Sequence, residues 1–97
     1  MWYPVIHKVG RQRFEMRIGN EPPAFVSYTR QADHIILEHT YVPETLRGNG
    51  VAAALTKAAL REAAKRAWKI DSRCQYVTRF IQGHPEFAAR VVSQTLT

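Results

Sequence analysis

The sequence predicts a mixed α/β (α+β) fold: an antiparallel meander of three to four strands, then a glycine loop, a long helix, a parallel strand and C-terminal helices. Three observations predict it. Short apolar or alternating segments bounded by turn residues fill the first part of the chain. A loop, Arg47-Gly48-Asn49-Gly50, follows the last of them, and an alanine-rich run with helical spacing leaves that loop. Strand, glycine loop and helix N-terminus in that order make an anion cradle. The glycines let backbone N–H groups approach a ligand, and the helix dipole adds partial positive charge.

Each element has its own signal. From Arg13 to Ile18 the chain alternates, with Phe14, Met16 and Ile18 on one face and Arg13, Glu15 and Arg17 on the other. Gly19 to Pro23 reads as a turn. Ala24 to Thr29 is the next strand, and Ile35 to Val42 the third, its first half apolar on both faces and so central in the sheet. A short strand near Val5–Val9 precedes them. Val51 to Trp68 is helical: Val51, Leu55, Ala59 and Ala63 form its stripe, widened by Ala52, Leu60, Ala64 and Ala67. Lys57, Arg61, Lys65 and Lys69 recur on the other side, either as a solvated face or as a surface for a polyanion. Lys69-Ile70-Asp71 is a strand parallel to the third, reached by a right-handed crossover. Asp71 or Ser72 caps a second helix bearing Cys74, Tyr76, Val77, Thr78, Phe80 and Ile81, which Gly83 ends. Pro85 starts a last short helix carrying Phe87, Ala88, Val91 and Val92.

The bulk properties exclude several classes. A chain of 97 residues makes one domain, 1–97. A formal charge of +6 invites a nucleic acid or a polyphosphate-bearing cofactor. Against nucleic acid, the aromatics do not interleave with the basic residues and no recognition-helix pattern is present. No apolar run approaches the roughly 18 residues of a membrane span, and the N-terminus lacks a signal-peptide pattern, so a cytoplasmic protein is expected. One cysteine and scattered histidines predict no metal site.

The loop is neither a nucleoside-triphosphate P-loop, having no Gly-Lys-Ser/Thr, nor a dinucleotide fingerprint, because Ala53 stands where the third glycine belongs. Arg47-Gly48-Asn49-Gly50-Val51-Ala52 instead resembles the R/Q-x-x-G-x-G/A signature of the GCN5-related N-acetyltransferases. His39-Thr40-Tyr41-Val42-Pro43, Cys74-x-Tyr76-Val77 and His84-Pro85-Glu86-Phe87 extend the resemblance to a subfamily of minimal, single-domain members, from about Phe14 to Phe87. The resemblance implies a GNAT-like mixed sheet and transfer of an acetyl group from acetyl-CoA to an amine acceptor. It implies that pantetheine pairs with backbone near Tyr41 and Val42, and that Arg47, Gly48, Asn49, Gly50, Val51 and Ala52 hold the pyrophosphate.

Three catalytic candidates follow. Cys74, in the first turn of the second helix, is placed for a nucleophile, or is a core cysteine beside Val77 and Ile81. His39, before the cofactor cleft, can act as a base, or is a structural histidine. Tyr76 can protonate the leaving thiolate, as a tyrosine does in many acetyltransferases, or is packing. The subfamily commonly carries a glutamate directly after His-Thr, and this chain has Tyr41. Glu38 is near, but strict strand alternation turns it to the face opposite His39. Direct transfer and a Cys74 relay thus both stand. So short a chain leaves the acceptor face open, suiting a small amine or a protein side chain, as a monomer or weak homodimer. The alternative is a non-catalytic module that binds acyl-CoA or nucleic acid.

Overall fold

Six strands form one sheet in the computed structural model, which describes residues 3–95. They are β1 (Ile6–Lys8), β2 (Arg13–Met16), β3 (Ala24–Gln31), β4 (His34–Tyr41), β5 (Lys69–Ser72) and β6 (Val91–Gln94), in sequential spatial order. The pairs from β1 to β4 are antiparallel, whereas β5 runs parallel to both β4 and β6. Two α-helices, α1 (Val51–Lys65) and α2 (Gln75–Gln82), complete the frame with 3-10 turns at Val9–Arg11, Glu44–Leu46 and Pro85–Arg90.

Both helices lie on one face of the sheet. Ala24, Val26 and Tyr28 of β3 and Ile35 and Leu37 of β4 meet Leu55, Ala59, Leu60 and Ala63 of α1 and Val77, Phe80 and Ile81 of α2 in one apolar cluster. Small alanine side chains let α1 seat closely against β2 and β3, while α2 covers β4 and β5. The other face carries Arg13, Glu15, Phe25, Ser27, His39 and Tyr41, placed there by register with one another. No helix among the described residues packs on it.

Several boundaries differ from the sequence reading, each for a local reason. The first helix stops at Lys65 rather than Trp68, because Ala67 turns left-handed at φ +57° and the Trp68 N–H returns to the Ala63 carbonyl at 2.8 Å. That turn buries the Trp68 indole beneath the guanidinium of Arg30, 4.0 Å from its centroid, with Arg66 5.4 Å away. Ala64 and Ala67 are exposed, so the buried stripe is narrower than expected. Strand β2 ends at Met16, and Glu15 is buried rather than solvated. The Arg13 Nε–H donates to the Glu15 carboxylate at 2.8 Å while its guanidinium covers the Phe25 ring at 4.2 Å. Neither Asp71 nor Ser72 caps α2. Asp71 accepts two bonds from Arg73, and the Ser72 hydroxyl donates to the Cys74 carbonyl and accepts from Thr78. Finally, the segment read as a last helix is a 3-10 turn that ends at Arg90, and Val91 and Val92 begin edge strand β6. Its pairing with β5 supplies backbone partners that a short segment cannot find alone.

Two outcomes follow for stability. Leu55 is fully buried, so Leu55→Ala should lower unfolding free energy by about 2–5 kcal/mol in a denaturant titration. His7 stacks on Phe14 and shares a 2.5 Å hydrogen bond with the Tyr28 hydroxyl. Burial holds its imidazole below the usual pKa, with Glu62 opposing and Arg66 reinforcing the shift. The unfolded chain therefore takes up this proton more readily, so the contribution is present above roughly pH 6.5 and lost as pH falls through the folded value. Melting temperature should decline from pH 7 to pH 5, and less steeply in His7→Asn. Equal declines would assign the acid sensitivity to other groups.

Candidate functional site

Two features of β4 shape the site. The first is a fork. Strands β4 and β5 pair from His34 with Lys69 to Leu37 with Ser72, and their last bond runs from the Arg73 N–H to the Leu37 carbonyl at 2.8 Å. Beyond it the chain after β5 turns into α2, while β4 continues through Tyr41. The β4 backbone from Glu38 to Tyr41 has no β5 partner, and its edge is open to an extended ligand.

The second feature is a β-bulge. Ser27 pairs with His39 but Tyr28 pairs with Leu37, so Glu38 is an extra residue at the vertex of the fork. The bulge resets the alternation. Thr40 pairs with Val26 on the helix-covered face, whereas His39 and Tyr41 pair with Ser27 and Phe25 on the open face. The Glu38 carboxylate accepts a hydrogen bond from the Thr29 hydroxyl at 3.1 Å, and Thr29 lies on the open face as well. Glu38 and His39 therefore share a face, which corrects the expectation from strict alternation.

The glycine loop closes the mouth of the fork. Gly48 and Gly50 hold φ of +84° and +79°, which lets the backbone turn directly into α1. No side chain caps that helix, and its first internal bond is from the Ala54 N–H to the Gly50 carbonyl. The N–H groups of Val51, Ala52 and Ala53 at the helix start are left to a ligand or solvent. Arg47 Nε donates to the Val42 carbonyl at 2.9 Å and Asn49 to the Leu46 carbonyl at 3.2 Å, which fixes the loop against the end of β4. A cleft of about 330 Å³ lies over these groups, lined by Val42, Leu46, Arg47, Gly48, Gly50, Val51, Ala52, Ala53 and Tyr76.

The structure brings some sequence-predicted residues together and separates others. Val42, Arg47, Gly48, Gly50, Val51 and Ala52 line one cleft with Tyr76. Asn49 supports the loop from its other side, and the Tyr41 side chain points to the open face against Phe25, so Tyr41 offers only its backbone to the fork. Cys74 is the N-cap residue of α2, not part of its first turn, and its Sγ lies 3.4 Å from the Thr40 Oγ1 on the helix-covered face. His39 is exposed on the opposite face, so Cys74 and His39 do not form a nucleophile–base pair. Burial, and then the neighbouring Cys74, push the Tyr76 hydroxyl above its usual pKa, which keeps it a proton donor at neutral pH. Glu38 is the residue the sequence reading missed as a site group, because a bulge leaves no mark in residue periodicity. Among the described residues no group of His, Cys, Asp and Glu is gathered to hold a metal ion.

This arrangement of forked parallel strands, a bulged central strand and a glycine loop opening a helix defines a class of acyl-transfer fold. The family described as GCN5-related N-acetyl-transferase matches residues 13–91. The chain belongs to that family, and acetyl transfer from acetyl-CoA to an amine is the chemistry of the class. It is 30% identical to Protein NATD1 of Danio rerio over 92 residues, 91% of this chain and 84% of that protein. It is 32% identical to Protein NATD1 of Mus musculus over 83 residues, 84% of this chain and 76% of the relative. Its fold is similar to the solution structure of a GCN5-like protein from Staphylococcus aureus, with a TM-score of 0.72 at 22% identity, covering 93% of this chain and 88% of that one.

The loop geometry makes a direct prediction. A Cβ at Gly50 would meet open space, so the cost of Gly50→Ala is conformational rather than steric. Urea denaturation should show a loss of about 1–2 kcal/mol. Gly10→Ala, where space is also open and φ is not positive, serves as the control and should change stability by well under that amount.

Proposed function

We propose that this chain is a single minimal domain that transfers the acetyl group of acetyl-CoA to an amine acceptor, a small molecule or a protein side chain. The observation that carries the reading is the fork, where an unpaired strand edge, free helix N–H groups and the exposed Tyr76 border one cleft. Bound acetyl-CoA supplies an activated acetyl thioester. The free N–H groups of Val51, Ala52 and Ala53, with Arg47, hold its pyrophosphate. The open backbone edge near Tyr41 and Val42 pairs with the pantetheine amides.

Three side chains take part in proton transfer in this scheme. An acceptor ammonium has a pKa near 10.4 when it is a free lysine, so a base must remove its proton before attack. Glu38, at the fork vertex and oriented by Thr29, takes that proton from the open face of the sheet. Tyr76 donates to the departing sulfur from the other side. His39, exposed beside Glu38, lies where an acceptor arrives and assists its deprotonation.

A second reading has its own support: the Cys74 Sγ lies beside Thr40 next to the fork, at the start of α2. A thiol there is placed to receive the acetyl group before the amine does. The two routes separate cleanly. With direct transfer, Cys74→Ala keeps activity within a few-fold, and intact protein mixed with acetyl-CoA alone gains no acetyl mass. With a relay, that variant is inactive and the adduct accumulates. In either route Tyr76→Phe should slow turnover, whereas Glu38→Gln should lower kcat by about 100-fold or more only when Glu38 is the base. Calorimetry with acetyl-CoA and desulfo-CoA checks the premise. Saturable binding is expected, and silence at millimolar ligand rejects the cofactor assignment.

A further inference from the structure

A separate cavity of about 310 Å³ opens at the end of α1 opposite the glycine loop. The helix is 15 residues long, so about 22 Å along its axis separates the two. The inner wall of the cavity is the hydrogen-bonded pair of His7 and Tyr28. Gln12, Arg30, Arg66 and Trp68 border it, with Val9 as its apolar side, and no carboxylate lines it. Arg30 sits over the Trp68 ring, donates to the Ala32 carbonyl at 2.8 Å, and makes no ion pair among the described residues. Arg66 lies near the same ring and is held by the Glu62 carboxylate. Burial lowers the pKa of His7 and raises that of Tyr28, so both are neutral at pH 7. The charge of the cavity therefore comes from the two guanidiniums.

The backbone around this cavity is strained in three places. Among the described residues, the non-glycine positions with positive φ are Gln12 at +53°, Ala32 at +53° and Ala67 at +57°. Each of them places a cavity group. Gln12 lines the cavity, and its carbonyl receives the Tyr28 N–H at 2.9 Å. Ala32 supplies the carbonyl that holds Arg30, and Ala67 joins Arg66 to Trp68. Such backbone costs free energy and clusters where a ligand is held. A guanidinium resting on a ring keeps in-plane N–H groups for an oxyanion, and two guanidiniums around one ring suit a dianion. The cavity is roomier than a bare phosphate, which leaves space for an organic body beside Val9. We infer that it binds a small phosphomonoester. The phosphate lies between Arg30 and Arg66 with the Gln12 amide donating to it. The site is independent of the coenzyme A reading, because it shares no lining residue with the cleft at the fork.

Nitrogen–proton correlation NMR of the full chain with phenyl phosphate, inorganic phosphate and phenol tests this. Phenyl phosphate should give saturable shifts at Gln12, Arg30 and the Trp68 indole. Inorganic phosphate should move the same signals more weakly, and phenol should not reproduce them. Arg30→Gln should weaken binding roughly tenfold, the scale of one charge-assisted contact. Arg66→Gln, at an exposed position, should weaken it as well, whereas Glu62→Gln should tighten it by removing the carboxylate that competes for Arg66. Lys65→Gln, an exposed charge outside the cavity, should leave binding unchanged. Absence of saturation, equal weakening in Lys65→Gln, or equal effects of phenol overturn the assignment. Shifts confined to Gly48 through Ala53 overturn it too, by putting the phosphate at the fork. Circular dichroism on each variant keeps loss of folding apart from loss of contact.

Discussion

The site depends on where one backbone hydrogen-bond ladder stops. Up to the bond from the Arg73 N–H to the Leu37 carbonyl, β4 and β5 are ordinary parallel neighbours. One residue later the partner strand has left, and β4 carries its donors and acceptors past the vertex without it. A buried strand cannot tolerate such an edge, because unpaired amides away from water cost free energy. At the surface the same edge is a template for an extended ligand. The bulge at Glu38 falls at this vertex, where it disturbs no bond to β5 and turns a carboxylate and an imidazole to the open face.

Packing on the covered face sets the second half of the site. An alanine-rich α1 sits close to β2 and β3, with Leu55, Ala59, Leu60 and Ala63 filling the interval. Its fixed seat presents its N-terminus at the mouth of the fork, so the helix dipole and the free N–H groups act on the same cleft as the strand edge. Ser72, Thr78 and the Cys74 carbonyl form a small buried polar cluster that holds the start of α2, and thereby Tyr76, against that cleft. The helix-packed side of the sheet thus supports the cleft from below. The open face carries Arg13 over Phe25 and Phe25 beside Tyr41, with no helix among the described residues packed on it.

Much of this was legible in residue order. Alternation marked the meander, the apolar Ile35–Leu37 run marked a central strand, and Arg47 to Ala52 marked the loop and its helix, because each of these depends on local pattern alone. What was not legible depends on neighbours. Glu38 was assigned to the wrong face because the bulge is defined by pairing with β3, not by any residue in β4. Strand β6 was hidden since Val91 to Gln94 becomes a strand only by hydrogen-bonding to β5. Glu15 looked solvated in an alternating pattern, yet Arg13 and Phe25 bury it. The separation of Cys74 from His39 likewise needed the third dimension, as sequence motifs give order but not sheet face.

The most direct test of the fork as a cofactor site is a backbone amide titration by nitrogen–proton correlation NMR with coenzyme A. The account predicts that the largest shifts, or slowed hydrogen exchange, fall on two separate stretches. One is the unpaired edge from Thr40 to Val42, and the other is Gly48 to Ala53 at the start of α1. Perturbations confined to the open face around Arg13, Phe25 and Ser27, or spread evenly over the surface, would contradict it.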